Sequence, residues 1–588
     1  MGYGRHGNRS SSPGVGQADD PPPRHPGEPV TRRALLPGLV FCLAACGHQS
    51  STAGAVPVST SAEITAADLE TRLRIFADDS MQGRRSGTEG NRKGTDYIAA
   101  EAQRIGLSPA GERGGWFQTV PMVNRDIAKE TTLEVDDTSY SPWSDFIPRD
   151  QGVGARAVDG AQVVFGGVVG DSTELLSHDE AAGKLVVVAV GPDSTGQPSG
   201  TVNRAATTAL FPTAAGIAVA TLDAISPADQ AGLRQGSARL ALPDSQPATP
   251  AFMYVSSRLA RALMGGETLA EARVGDPGRT VHGIVRFSES PPPFPARNVV
   301  AVLPGGDPTL RGEYVAIGAH NDHEGIAPVA VDHDSLRAFN AVMRPRGAND
   351  PSGVTPTAEQ QRRITAMLDS LGKIHRPRRD SILNGADDDG SGTVSVLEIA
   401  EKLARGPDRP KRSILFVWHT GEELGLLGSD WFTRHPTVPR DSIVAQLNID
   451  MVGRGDAADI AGGGPGYLQM IGSRRLSTEL GDIVEETNEK GKFGFDFDYS
   501  YDAVGHPDNY YCRSDHYMYA RFGIPIAFFS TGAHRDYHQV TDEPQYIDYA
   551  KMARVASLVE ATALAVADLD HRVVVNGPKP NPWAVCKQ

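Results

Sequence analysis

Between residues 296 and 569, short apolar runs alternate with amphipathic stretches. Residues 414–418 are a continuous apolar run, and 298–302, 314–319, 443–449 and 524–529 are further mostly apolar stretches. Such runs are the pattern of strands buried on both faces of a parallel sheet. Between them, residues 392–404 set Val394, Leu397, Ala400 and Leu403 on one helical stripe, and residues 549–569 close the series as a second helix. Strand–helix alternation predicts an α/β fold with a mostly parallel central sheet and helices on both faces. Residues 62–110 add two more helices, one with Ala67, Leu69, Leu73 and Phe76 on a stripe, the other with Tyr97, Ile98, Ala100 and Ile105. A turn-rich connector at 83–90 separates them, and Gly106 ends the second.

The pattern changes at two places. Residues 130–290 carry β-type runs at 162–165, 184–190 and 214–220, set apart by Gly, Asp and Ser turns, which predicts a separate β-rich module. No dense group of His or acidic residues at ligand spacing occurs there, so no catalysis is assigned to it. Residues 325–383 interrupt the α/β rhythm with a polar amphipathic helix over 359–371 and Arg-rich turns, and are read as an insertion. The expected organisation is a leader and tether at 1–60, a first part of the main domain at 61–129, the inserted module at 130–290 and the rest of the main domain at 291–588. A chain of 588 residues exceeds what one core fills, which agrees with more than one domain.

Composition narrows the partners. A formal net charge of −15 argues against nucleic acid, because phosphate contacts need a basic surface. Near the start, Thr31-Arg32-Arg33 precedes an apolar stretch at 34–45 that is too short to span a bilayer, the order of a secretory signal. The sequence Leu43-Ala44-Ala45-Cys46-Gly47 resembles the bacterial lipobox, which implies a lipid on Cys46, a membrane-attached chain and a bacterial cell-envelope or periplasmic location. A soluble, secreted form is the alternative. No CxxC pair follows, so a structural zinc–thiolate module is not expected. Cys512 and Cys586 are left either as a disulfide in an oxidising compartment or as two free thiols.

The candidate chemistry sits just past the expected strands. Glu422 and Glu423 are adjacent carboxylates framed by Gly421 and Gly425, after the run 414–418. Adjacent side chains at a strand end point in different directions, so one can bind a metal while the other moves protons. An acidic first turn of a helix is the plain alternative. His320-Asn321-Asp322, Asp387-Asp388-Asp389, Asp450 and His538 occupy the corresponding positions elsewhere. One such residue would be a turn or a cap. Several at one sheet edge would repel without a cation. Imidazole with carboxylate suits zinc and its neighbours rather than calcium. There are more carboxylates than one tetrahedral ion needs, which points to two metals sharing a ligand.

In order and flanking residues, His320-Asn321-Asp322-His323, Asn384-Gly385-Ala386-Asp387-Asp388-Asp389-Gly390, Gly421-Glu422-Glu423-Leu424-Gly425, Asn448-Ile449-Asp450-Met451 and Asp536-Tyr537-His538 resemble the di-zinc aminopeptidase family of peptidase clan MH. The resemblance implies a zinc exopeptidase fold, peptide substrates and two Zn2+ per chain. His320, Asp388 and Asp450 would hold one ion, and Asp388, Glu423 and His538 the other. Glu422 would be general base and acid, and Asp322 would orient His320. His323 and His534 are ligands by residue type alone, but the family pattern places the ligand directly after Asp-Tyr, at His538. His419 is expected to be packed or to face substrate. Tyr511 to His516 resembles a stretch bordering the substrate pocket. Module 130–290 resembles a protease-associated domain. The long segment between His320 and Asp388 departs from the family pattern and is expected to restrict substrate length. The leading reading is a zinc-dependent exopeptidase, an aminopeptidase, with a carboxypeptidase or glutaminyl cyclase-type enzyme on the same scaffold, or a non-catalytic binding protein, as the alternatives.

Overall fold

The computed structural model describes residues 59–149, 155–170, 174–191, 200, 202–234, 236–241, 248–350, 354–374, 376–584 and 586–588. The leader, the tether up to residue 58 and Cys46 lie outside the described residues.

The apolar runs become strands of a 9-stranded sheet. Its centre is Ser413–His419, Tyr314–His320, Ile443–Ile449 and Ile526–Ser530, all mutually parallel. Both flanks are antiparallel: Ala296–Leu303 pairs with Ser413–His419, and Tyr467–Ile471 pairs with Ile526–Ser530. The parallel centre follows from burial on both faces. Every residue of Ser413–His419 and Ile443–Ile449 is buried.

Helices cover the two faces. On one face lie Ala66–Phe76, Glu89–Ile105, Gly392–Arg405 and Tyr549–Ala567, which share a core with Val315, Ile317, Phe416 and Leu447. The alternate side chains Ala316, Leu415 and Val417 point the other way, into a core with Phe432, Tyr519 and Phe528. The first helix starts where Thr65 caps the Asp68 amide at 3.0 Å. The second ends at Gly106, whose φ of 92° suits a residue without Cβ. Beneath this face Arg72 is buried and bonds Glu398 at 2.5 Å, together with Glu401 and Glu101. One guanidinium thus serves several carboxylates.

The module expected between 130 and 290 holds an 8-stranded sheet with its own cores on both faces. Its strands Ala161–Val169, Leu185–Val190, Gly216–Val219 and Ala251–Val255 are parallel, with helices such as Arg204–Leu210 between them and Ser257–Leu263 after the last. The module is therefore mixed rather than purely β. The insertion is a second addition. Gly325–Asp332 pairs with Arg379–Leu383, and between them His333–Met343 packs on Ala358–Leu371 through Ala338, Val342 and Ile364. The helix His333–Met343 was not legible in the sequence, because the core it joins is only those few side chains. Cys512 and Cys586 form a disulfide.

Candidate active site

Parallel strands deliver their carboxyl ends to one edge, and the loops leaving that edge carry the chemistry. His320 is the last residue of Tyr314–His320. Glu422 and Glu423 follow Ser413–His419 through Gly421, whose φ is 71°. Asp450 follows Ile443–Ile449, and His538 lies in the loop after Ile526–Ser530. Asp388 sits in the segment Ala386–Ser391, which leads into the helix Gly392–Arg405.

The three consecutive aspartates do different things. Asp389 accepts the backbone N–H of His320 at 2.9 Å and of Gly392 at 2.8 Å, joining a strand end to a helix start. Asp387 accepts the Gly453 N–H at 2.6 Å. Only Asp388 faces the cluster. Its Oδ1 lies 3.1 Å from His320 Nε2, and its Oδ2 lies 3.0 Å from His538 Nε2. Asp450 Oδ1 is 3.7 Å from His320 Nε2, and Glu423 Oε2 is 3.1 Å from His538 Nε2. The sequence-selected ligands are thus brought together as two groups that meet at Asp388.

Electrostatics follow from this crowding. Burial pushes Asp388 up, but the imidazoles of His320 and His538 against its two oxygens outweigh it and hold its carboxyl well below the usual range. Burial works against Glu423 too, yet with His538 and His323 beside it its value falls to about 2. Glu422 goes the other way. Burial raises it, His320 opposes, and the carboxylates of Glu423, Asp450 and Asp515 add to the rise, so it stays well above an ordinary glutamate. Two neighbours in sequence therefore hold protons very differently, which is how acid–base roles separate.

Asp322 behaves differently from the expectation that its carboxylate orients His320. The nearer partner of His320 Nδ1 is the Asp322 carbonyl oxygen at 3.1 Å, while the carboxylate is 3.9 Å away. That carboxylate instead accepts the Glu422 N–H at 3.2 Å, so it fixes the backbone of the Glu422-Glu423 turn. His419 is packed: it is fully buried, lies against Phe432 and meets the Tyr519 hydroxyl at 3.1 Å. His534 lies behind the cluster, 3.4 Å from Asp387, and burial pushes it down to about 3.

Other participants were passed over or missed by the sequence reading. His323 Nδ1 lies 2.7 Å from Glu423 Oε1. Its position next to Asp322 was the available signal. Ser514 donates to Asp450 Oδ2 at 2.7 Å, and Asp542 accepts the N–H groups of Asp387 and Asp388 at 3.0 and 3.1 Å. The loop carrying His538, whose φ is 58°, is held by Asp536, which accepts from Thr541 at 2.8 Å and from Arg454 at 2.9 Å.

Ligand atoms of His320, Asp388 and Asp450 lie within 4.8 Å of one another, as do those of His323, Asp388 and Glu423 and of Glu324, Glu423 and His538. The ring Nε2 atoms of His320, His323 and His538 are buried and make no hydrogen bond. Buried imidazole lone pairs among several carboxylates are a donor set that fits divalent cations such as zinc, and without a cation the carboxylates would repel. The cavity beside them, ≈40 Å3, is lined by Asp388, Glu422, Asp450, Arg513, Phe528 and Tyr537 among others. A larger hollow of ≈740 Å3 between Arg434, Phe522 and Trp583 shares no lining residue with it.

Residues 352–563 match the family model for peptidase family M28. That span contains Asp388, Glu422, Glu423, Asp450 and His538, with His320 and Asp322 before it. Among curated proteins the chain is similar to a probable leucine aminopeptidase of Arthroderma benhamiae, 31% identical over 31% of this chain and 48% of that protein. It is also similar to leupeptin-inactivating enzyme 1 of Streptomyces exfoliatus, 29% identical over 28% of this chain and 33% of that protein. The chain thus spans half or less of the length of these relatives. Among solved structures, an aminopeptidase from Aneurinibacillus sp. strain AM-1 aligns with TM-score 0.48 at 15% identity, covering 88% of this chain and 97% of that one.

Proposed function

With residues 352–563 a stretch of peptidase family M28, we propose that the chain is a zinc-dependent exopeptidase, an aminopeptidase that releases N-terminal residues from peptides. The observation that carries this reading is Asp388 turning one oxygen to His320 and the other to His538, with Glu422 alongside in the same cavity wall. His320, Asp388 and Asp450 would hold one zinc, and Asp388, Glu423 and His538 the second. Bound zinc supplies Lewis acidity toward a peptide carbonyl and makes water a stronger acid.

The chain's own groups do the rest. Glu422 takes a proton from the attacking water on its carboxylate and returns it to the nitrogen of the departing amine. Its raised proton affinity suits a group that must release the proton again near neutral pH. Asp322, through the Glu422 N–H, keeps that side chain aimed at the cavity. Tyr510, Phe528 and Tyr537 line the wall and keep water away from the reacting carbonyl.

The module at 130–290 is read as a protease-associated domain, for its place within the chain and its independent cores. The pattern Leu43-Ala44-Ala45-Cys46-Gly47 supports a lipid on Cys46 and a bacterial cell-envelope location, which mass spectrometry of the mature N-terminus tests.

The activity is tested by comparing free and N-acetylated short peptides, with and without a chelator. The reading expects cleavage of the free-amine peptide only, lost on chelation and restored by zinc. Cleavage of acetylated peptides from the carboxyl end would replace it with a carboxypeptidase.

A further inference from the structure

The cavity beside Asp388 has acidic and aromatic walls and a single cation. Among its lining residues Arg513 alone carries positive charge, in a wall that also holds Asp388, Glu422 and Asp450. More than a third of its surface is open to solvent, so it stands at the mouth rather than the floor. Among the described residues no carboxylate lies within ion-pair distance of its guanidinium. Two phenols flank it: it donates to the Tyr537 hydroxyl at 3.3 Å and lies 5.1 Å from the centre of the Tyr510 ring.

The backbone at Arg513 is fixed from both sides. Cys512 is bonded to Cys586, and Ser514 donates to the Asp450 carboxylate at 2.7 Å. An arginine held on a braced backbone, facing a cavity and with no carboxylate in direct ion-pair contact, is a preorganised receptor for a planar anion. The floor already concentrates negative charge, so the anion belongs to a molecule whose other end is cationic or bound by metal. A short peptide has that polarity.

Resting on the aminopeptidase reading above, we infer that Arg513 binds a carboxylate of the peptide substrate and makes the chain selective for substrates that carry one within a residue of the cleaved bond. Two sources share this chemistry. One is the α-carboxylate of a dipeptide, which follows the cleaved bond by one residue, roughly 3.5 Å of extended chain. The other is the side chain of an N-terminal Asp or Glu. Arg513 touches substrate and sets specificity; it takes no part in proton transfer.

The test uses the full chain loaded with zinc and three substrates: Leu-Gly-amide, Leu-Gly and Glu-Gly-amide. Parent, Arg513→Gln and Arg513→Lys are compared by kcat and KM. In Arg513→Gln the kcat/KM ratio of a carboxylate-bearing substrate to Leu-Gly-amide should fall about 10- to 100-fold, the scale of a charge-assisted hydrogen bond, with the change in KM. Arg513→Lys should recover part of it. A fall confined to Leu-Gly assigns the α-carboxylate, and one confined to Glu-Gly-amide assigns the acidic side chain. Equal ratios in parent and Arg513→Gln, or a loss carried by kcat on all three substrates, overturn the inference. A parent chain that cleaves none of them overturns the aminopeptidase reading and this inference with it.

Discussion

Arg337, on the inserted helix His333–Met343, lies 3.3 Å from the carboxylate of Asp536. The insertion therefore braces the loop that ends in His538 instead of standing apart as a decoration. Asn340 reaches the same carboxylate at 3.2 Å, and Arg344 donates to the Arg535 carbonyl at 2.8 Å. Asp536 also holds Arg454 at 2.9 Å, so its loss strips the loop of several ties at once. Asp536→Ala should weaken zinc binding about 10- to 100-fold, the usual scale for residues that orient ligands. Arg337→Ala should weaken it less, because Arg337 is partly exposed and Arg454 remains. Chelator-competition titration of both variants checks this. Unchanged affinity in Asp536→Ala would separate the insertion from the metal centre.

Glu422→Gln keeps the shape of the side chain and removes its basicity. The variant should retain parental zinc content, while kcat falls about 10²- to 10⁴-fold, the range for loss of a general base. Metal analysis alongside steady-state kinetics reads both quantities. Near-parental turnover at full zinc content would move the base elsewhere.

Glu398 gives a pH dependence that lies away from the metal cluster. Burial pushes it up to about 7 from 4.5, because the neighbouring Arg72 is shared with Glu401 and Glu101 and offsets only part of the cost. A carboxyl raised on folding contributes stability that is complete below its unfolded value and is lost as pH rises through its folded value. The parent should therefore lose thermal midpoint relative to Glu398→Gln between about pH 4.5 and 7, and run parallel to it above. Melting curves of both proteins from pH 4 to 8 measure the difference. A difference that stays flat across that window would contradict the assignment.

The Cys512–Cys586 bond closes a loop with a sequence separation of 74. On the chain-entropy account such a closure stabilises by up to about 4 kcal/mol. Cys586→Ser should lower the denaturation midpoint accordingly. It should also raise KM more than it lowers kcat, since Arg513 adjoins the bridge. Denaturant titration and kinetics of the variant test the two effects separately.

Much of this was legible in the sequence because it rests on continuous patterns. The run around Ile414–Trp418 has no polar residue, so it had to be buried on both faces, and Glu422-Glu423 had to follow it at a sheet edge. What depended on partners distant in sequence was less legible. The antiparallel flanks are set by which strand finds which edge, and apolar content alone does not encode direction. His333–Met343 buries few side chains and gives little periodic signal. The swap at Asp322, where the carbonyl serves His320 and the carboxylate serves the Glu422 N–H, is a matter of local backbone geometry. Residue identity at that position is the same for either arrangement.

The groups around Asp388 are spread along the chain, the first at His320 and the last at His538. Until Ile526–Ser530 docks beside Ile443–Ile449, the loop bearing His538 has no place to sit. The proposed ion that needs His538 can then be held only after that docking. A chain stopped short of residue 538 would lack one of the groups that meet at Asp388 and would hold that ion more weakly.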